Sequence, residues 1–206
     1  MHSKKSKWTI GIDEVGRGAL AGPVFVAATA TAASFKLQAS SSKLGKLRDS
    51  KKLTPKQRDD WFAYFKNHPK IFYAVARVYP RGIERLNISQ AANLAAKRAY
   101  ERLKAKSSII NLQSPVRLDG GLFLGSGDQP KNAKTIIKGD EKFTAIKITS
   151  IIAKVHRDRF MCRLAKKYPS YGFEVHKGYG TKAHYAAIKK MGICEVHRKT
   201  FLAHAH

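Results

Sequence analysis

The segment WTIGIDEVGRGALAGPV, residues 8–24, joins a strand pattern to an acidic pair and a glycine-rich turn. Trp8, Ile10 and Ile12 alternate with small or polar residues, which is typical of a half-buried strand. Asp13 and Glu14 follow directly. Carboxylate oxygens are the ligands that Mg²⁺ and Mn²⁺ prefer, and glycines let main-chain amides approach a phosphate. Because neighbouring strand residues point to opposite faces, both acids serve one site only if the strand ends or bends there.

Two later apolar runs also end in a carboxylate next to glycine. PVRLD at 115–119 is followed by Gly120 and Gly121, and TIIKGD at 135–140 ends in Asp140. Strand ends that meet at one edge of a sheet bring such side chains together. The alternative interpretation is three unrelated turns, since Asp and Gly are common turn formers.

The remaining periodicity predicts an α/β chain. Further strands are expected at 23–32 and 71–79, and the predicted helices begin after Thr54 and cover about 88–105, 144–168 and the segment between Thr181 and Gly192. Thr54 should cap its helix, with Pro55 in the first turn and Gln57 completing a capping box. Residues 33–53 are predicted to form a long loop. Helix 144–168 should face the core and carry a basic back that includes Lys154 and Arg157.

The charge of the chain favours a polyanionic partner. Forty Lys and Arg against 14 Asp and Glu give a net charge of +26, spread over the whole sequence. Such a protein binds nucleic acid with little sequence preference and strong salt dependence, as a ribosomal or chromatin-type protein also would. Cys162 and Cys194 have no zinc-ligand spacing. No signal peptide or membrane-spanning run is apparent, so we expect no membrane partner and a cytoplasmic location.

Several long strings occur in an order that resembles bacterial ribonuclease HII: GIDEVGRGALAGPV, DSKKLT, LDGG, KGD, SIIAKVHRDRFM, YPSYGFEVHKGYGT and HRKTF. The resemblance spans nearly the whole chain. It implies one ribonuclease-H-like α/β domain over 1–206, with a mixed sheet and flanking helices in a core at about 8–168. A small helical C-terminal part is expected at about 169–206.

The activity that the resemblance implies is hydrolysis of the RNA strand in RNA·DNA hybrids. Cleavage on the 5′ side of single ribonucleotides in duplex DNA, leaving 3′-hydroxyl and 5′-phosphate ends, is expected as well. The implied catalytic and metal-binding residues are Asp13, Glu14, Asp119 and Asp140, which would hold two Mg²⁺ or Mn²⁺ ions. Asp158 is a competing ligand, but its place inside a predicted helix beside two arginines favours an ion pair.

The resemblance also implies three substrate contacts. Gly16, Arg17 and Gly18 would sense the ribose 2′-hydroxyl, and Tyr179 would pack on the deoxyribose that follows the ribonucleotide. Ser50, Lys51 and Lys52 match a phosphate-contacting segment, although paired lysines in a basic protein are often only solvated surface. His184 and His197 are interpreted as packing residues.

Two other functions remain open from the sequence. One is a non-catalytic basic nucleic-acid binder on the same fold, and the other is a ribonuclease H that cleaves hybrids without processing single ribonucleotides. The run AIKITSII departs from the family pattern and places Lys147 near the expected site. We expect a monomer.

Overall fold

The computed structural model describes residues 8–36, 44–106, 114–125, 127 and 129–203. Its centre is a five-stranded sheet in the order β3-β2-β1-β4-β5. The strands are β1 (Trp8–Val15), β2 (Val24–Ala32), β3 (Ile71–Val78), β4 (Val116–Asp119) and β5 (Ala133–Ile136). β1 pairs antiparallel with β2 and parallel with β4, so the sheet is mixed as expected.

Eight α-helices accompany the sheet within the described residues. They are α1 (Pro55–Lys66), α2 (Pro80–Leu86), α3 (Ile88–Lys106), α4 (Gly139–Lys142), α5 (Thr144–Lys167), α6 (Phe173–His176), α7 (Lys182–Met191) and α8 (Lys199–Leu202). The sequence interpretation did not include α2. The long loop predicted at 33–53 includes a 3-10 turn at Ser50–Lys52, and its residues 37–43 lie outside the described part.

The two faces of the sheet are covered by different helices. The alanines of α3 pack with Ile10, Ile12 and Leu118 in one buried cluster. On the opposite face, α1 contributes Trp61 and Phe65, which pack with the isoleucines of α5. Small side chains on α3 let that helix lie close to the sheet, and the sequence predicted both helices from their periodicity.

The start of α1 follows the predicted capping chemistry. Thr54 accepts a hydrogen bond from the Gln57 amide, the Gln57 side chain accepts one from the Thr54 amide, and Pro55 occupies the first turn. This box satisfies two amides that a helix start otherwise leaves unpaired. It fixes where α1 leaves the turn Ser50–Lys52, which lies beside the site described below.

The expected basic back of α5 is wrong at one position. Arg157 is completely buried and faces the protein interior, whereas Arg159 on the same helix is exposed and pairs with Asp59. A periodicity argument places cations outside by default, and it does not anticipate a guanidinium that main-chain carbonyls surround.

The segment after residue 168 packs on the C-terminal half of α5. Tyr171 and Phe173 join Met161 and Leu164 in a third buried cluster. An isolated bridge between Ala21 and His197 ties the C-terminal segment to the turn after β1. None of the described helices is long and apolar enough to cross a membrane.

Candidate active site

A pocket of about 390 Å³ opens at the sheet edge where β1 and β4 separate. The parallel ladder between these strands joins only Ile10–Ile12 to Val116–Leu118, so the residues that follow on both strands are free to line a cavity. The pocket is lined by four acids together with cationic, hydroxyl and apolar side chains: Asp13, Glu14, Val15, Ser50, Lys51, Asp119, Asp140, Ser150, Lys154 and Tyr179.

The four predicted acids therefore share one pocket, but the local structure at two of them differs from the expectation. β1 does not end at Asp13; it stays paired with β2 up to Val15 and turns at Gly16, where φ is +87°. Asp140 is not at a strand end but in the first turn of α4, after Lys138 with a φ of +55°. Only Asp119 ends a strand, and the turn at 137–138 brings the start of α4 to the same edge.

Asp13 is the most deeply buried of these acids, with 5% of its surface exposed. Its Oδ1 accepts a hydrogen bond of 2.7 Å from the Glu14 amide. Burial raises the pKa of Asp13 well above its ordinary value, and the charges of Glu14 and Asp119 raise it further. The fold therefore holds this carboxylate where its negative charge is unfavourable.

In the described structure, the carboxylate of Glu14 has a partner for only one of its two oxygens. Its Oε1 lies 3.3 Å from Nη1 of Arg17, whereas its buried Oε2 has no hydrogen-bond partner among the described residues. Burial raises the pKa of Glu14 although the Arg17 charge acts in the opposite direction. An unpaired buried acceptor of this kind costs free energy unless a cation or a donor reaches it.

Asp119 and Asp140 meet across the turn between β5 and α4. The Gly139 amide donates to Asp119 Oδ1 at 2.6 Å, which anchors the start of α4 to the end of β4. Burial raises the pKa of Asp140, followed by the charges of Asp49 and Asp119. Like charges thus accumulate at this edge instead of being neutralised one by one.

The predicted segment 50–52 divides between pocket and surface. Ser50 and Lys51 line the pocket, and Ser50 Oγ lies 2.8 Å from Ser150 Oγ. Lys52 points elsewhere, where its Nζ lies 3.7 Å from Glu141 Oε1. Asp49 caps the turn by accepting a hydrogen bond from the Lys51 amide, which fixes the main-chain conformation at Lys51.

The other predicted substrate residues lie on two sides of the pocket. Tyr179 lines it. Gly16, Arg17 and Gly18 form the turn that follows β1, and Arg17 reaches back to Glu14 and donates to Ser89 Oγ at 2.8 Å. The turn therefore touches the acids through Arg17 without lining the pocket itself.

The sequence interpretation missed Ser150 and Lys154. Both lie on α5, four residues apart, so they project from one side of the helix. That spacing was the available signal, but the apolar residues between them dominated the periodicity. Lys147, which the sequence placed near the site, directs its ammonium to the Glu141 carbonyl and does not line the pocket.

Asp158 does not join the acids. It accepts from Lys154 at 2.8 Å and lies 3.5 Å from Arg58 Nη2, so the predicted ion pair is confirmed. The packing interpretation of His184 and His197 is also confirmed, because both are buried and their Nε2 atoms lie 3.1 Å apart.

The acids suit a hard divalent cation in their chemistry. They offer only oxygen donors, they bury like charges together, and Glu14 Oε2 lacks a partner in the described structure. As the side chains stand, no three described Asp, Glu, His or Cys groups are close enough to hold one ion. Binding an ion with three of them therefore requires side-chain rotation within the pocket.

Comparison with known proteins identifies the family. A family model described as ribonuclease HII matches residues 10–204. The chain belongs to the ribonuclease HII family. A curated ribonuclease HII of Caldicellulosiruptor bescii is 43% identical over 196 residues, which is 95% of this chain and 87% of that relative. The chain is thus a ribonuclease H, which favours the enzyme over the non-catalytic binder.

Solved structures confirm the ribonuclease-H-like fold. The ribonuclease H2 of Pyrococcus horikoshii is similar with a TM-score of 0.69 and 24% identity, over 94% of this chain and 93% of that one. Bst-RNase HIII, solved in complex with Mn²⁺, is similar with a TM-score of 0.67 and 19% identity. It covers 97% of this chain, which in turn spans 66% of it.

Proposed function

We propose that this ribonuclease HII family member hydrolyses the RNA strand of RNA·DNA hybrids and also cuts on the 5′ side of single ribonucleotides embedded in duplex DNA. The products carry 3′-hydroxyl and 5′-phosphate ends. The observation that carries the proposal is the shared pocket, in which four acids lie beside Lys51 and Tyr179. Acids for a metal, a cation for a phosphate and a ring for a sugar are the parts that this cleavage needs.

Asp13, Glu14, Asp119 and Asp140 would hold Mg²⁺ or Mn²⁺, and the Mn²⁺ complex of the similar Bst-RNase HIII supports this assignment. When bound, two such ions activate a water and stabilise charge on the leaving 3′ oxygen.

The cations around the pocket orient the negatively charged backbone. Lys51 is fixed at the rim by the turn that Asp49 caps, and Lys154 lies on the α5 side. Together with the net charge of +26, they favour a phosphodiester strand over a neutral ligand. Their role is to bind and position, because neither ammonium replaces a carboxylate as a metal ligand.

The recognition of RNA is assigned to the two sides of the pocket. Main-chain groups of Gly16 and Gly18 contact the ribose 2′-hydroxyl, while Arg17 is held in place by Glu14 and Ser89. Tyr179 offers a planar face to the following deoxyribose. A junction between RNA and DNA is therefore read by two separate segments of the chain.

The test is a cleavage assay with three end-labelled duplexes: a uniform RNA·DNA hybrid, DNA with one ribonucleotide, and all-DNA. With Mg²⁺ or Mn²⁺, we expect cleavage of the first two and none of the third. Product ends are read by ligation and by phosphatase sensitivity.

Cleavage of the hybrid without cleavage at the single ribonucleotide would overturn the finer proposal and favour a ribonuclease H of broader hybrid specificity. Binding of every duplex without any cleavage would contradict the enzyme assignment itself.

A further inference from the structure

Two loops that read the substrate in the proposed function are joined directly to each other. We call residues 16–23 the glycine loop and residues 177–181 the tyrosine loop. The amides of Leu20 and Ala21 both donate to the Gly178 carbonyl, at 2.8 and 3.2 Å. Gly178 has a φ of +81°, and a Cβ there would lie 2.5 Å from the Ala21 carbonyl oxygen. The two backbones approach each other so closely that only glycine fits at position 178.

Arg157 lies between these loops and binds both. Its Nη1 donates to the Lys177 carbonyl at 2.9 Å, its Nη2 to the Ala21 carbonyl at 3.3 Å, and its Nε to the Pro23 carbonyl at 3.1 Å. All three guanidinium nitrogens are thus used. Because Arg157 is completely buried, these bonds replace the water that the cation loses on folding.

The same guanidinium touches the groups that read the substrate. It lies 5.2 Å from the centre of the Tyr179 ring. It also packs so closely on Gly16 that a Cβ at that position would lie 2.0 Å from Arg157 Nε. One rigid, planar group therefore separates Gly16 from the Tyr179 ring by a fixed thickness.

We propose that Arg157 is a positioning residue that fixes the Tyr179 ring relative to the glycine loop and so sets the preference for an RNA–DNA junction. The inference rests on the proposed function, in which Gly16 and Tyr179 contact neighbouring sugars. Arg157 touches neither the substrate nor the reacting atoms. It acts by holding the glycine loop and the Tyr179 ring at the spacing of adjacent nucleotides. If either group is displaced, a junction substrate loses a contact that it needs for binding.

A uniform hybrid and a junction use these readers differently. Both substrates present a 2′-hydroxyl to the glycine loop, but only the junction presents a deoxyribose to Tyr179. The ratio of kcat/KM on the single-ribonucleotide duplex to kcat/KM on the uniform hybrid therefore reports the spacing. Since both rates come from one preparation, the ratio does not depend on the fraction of folded enzyme.

The experiment compares the wild type with Arg157→Lys, Tyr179→Ala and the double variant. A lysine keeps the charge but cannot bind three carbonyls at once. We expect Arg157→Lys to lower the ratio about tenfold, which corresponds to ~1.4 kcal/mol. The double variant should show no further fall beyond Tyr179→Ala alone, because Arg157 acts on specificity through that ring.

Arg198→Lys is the matched control. Arg198 is equally buried and binds carbonyls of the glycine loop, at Gly16, Arg17 and Gly22, but no described hydrogen bond joins it to the tyrosine loop. Its replacement should affect both substrates alike and leave the ratio within about twofold. Gly178→Ala is a second route, because it pushes the loops apart while keeping Arg157, and it should lower the ratio.

An unchanged ratio in Arg157→Lys, an equal fall in Arg198→Lys, or additive falls in the double variant would each overturn the inference. If Arg157→Lys does not fold, an unchanged ratio in Gly178→Ala still overturns the inference, because the junction preference would then not depend on the spacing of the two loops. A wild type that leaves the single ribonucleotide uncut refutes the proposed function instead, so the two failures are distinguishable.

Discussion

Buried charge is treated in opposite ways on the two sides of the glycine loop. On the pocket side, Asp13 is buried and Glu14 is half-buried beside other acids, and the buried Oε2 of Glu14 has no hydrogen-bond partner in the described structure. On the far side, Arg198 is also fully buried, but its nitrogens donate to the carbonyls of Gly16, Arg17 and Gly22 at 2.8–2.9 Å.

The difference separates charge that serves the fold from charge that serves a ligand. A buried cation whose three nitrogens all donate to carbonyls stabilises one conformation of the loop, and its removal leaves those carbonyls unpaired. Buried carboxylates without such partners store unfavourable free energy that a bound cation can relieve. The glycine loop is thus held in place by the hydrogen bonds of Arg198, and it adjoins carboxylates whose charge is left for a ligand.

The largest expected effect breaks the pocket side. Asp13→Asn should lower kcat on a uniform hybrid on the order of a thousandfold, since the amide is a poor ligand for a hard cation. The same change should leave the folded protein at least as stable without metal, because it removes a buried charge. Steady-state cleavage and urea unfolding in chelator measure the two quantities.

Asp60→Asn is the control for that variant, since Asp60 lies on the exposed face of α1, where it pairs with Lys56. It should retain the wild-type rate. Full activity in Asp13→Asn would remove the acids from the mechanism.

Breaking the other side should cost stability. Burial, and then the charge of Arg157, lower the pKa of Arg198 to about 9, yet its hydrogen bonds hold the loop. Arg198→Met should lower the free energy of unfolding by about 3–5 kcal/mol, because several main-chain carbonyls lose their donor. Arg159→Met, which removes an exposed ion pair with Asp59, should change it by less than about 1 kcal/mol. Equal losses in urea titrations would refute the contrast.

A half-buried neutral histidine extends the contrast to pH. His156 lies among Phe62 and Tyr73, and burial lowers its pKa from 6.5 to about 4. Between these values the unfolded chain binds the proton more tightly, so the free energy of unfolding falls as pH falls from 6.5 towards 4. After allowance for its partial exposure, His156 should account for about 1 kcal/mol between pH 6.5 and 5.

Urea unfolding of wild type and His156→Phe at both pH values measures this share, because the other histidines contribute to both proteins. The variant should lose less stability on acidification. An identical pH dependence in the two proteins would show that His156 does not titrate in this way.

The smallest effect concerns two adjacent lysines. Lys51 lines the pocket, whereas Lys52 pairs with Glu141 outside it. Lys51→Ala should raise KM on a hybrid about threefold and weaken its salt dependence, because one phosphate contact is lost. Lys52→Ala, its neighbour of equal charge, should change KM much less. Equal effects would indicate that only the overall charge matters.

The sequence predicted the elements that local chemistry determines. The capping box at Thr54, the apolar spacing of α5 and the alternation in β1 each carry their own signal, and the structure has the box, the helix and the strand. The half-buried character expected of β1 is wrong, because residues 10–13 are all buried and Gly11 packs against Ala145 of α5 on the second face of the sheet. The turn that places Asp140 on α4 was not predictable in this way, because it depends on Lys138 adopting a left-handed conformation and on the Gly139–Asp119 hydrogen bond.

The two buried arginines show the same limit. Nothing local to HRDRF or HRKTF distinguishes a surface cation from one enclosed by carbonyls that lie 20 to 182 residues away in the chain. The sequence predicted the four acids from apolar runs that end in a carboxylate and from the family resemblance. Predicting Ser150 and Lys154 would have required knowing which side of α5 faces the sheet edge.

The most direct test of the account is thermal unfolding of wild type and Asp13→Asn over a range of Mn²⁺ concentrations. The wild type should start with a Tm no higher than that of the variant, and it should gain stability as the ion binds the folded state. Asp13→Asn should respond far less. A wild-type Tm that is independent of Mn²⁺, or an equal rise in both proteins, would contradict the claim that the acids are gathered in one pocket to bind a divalent ion.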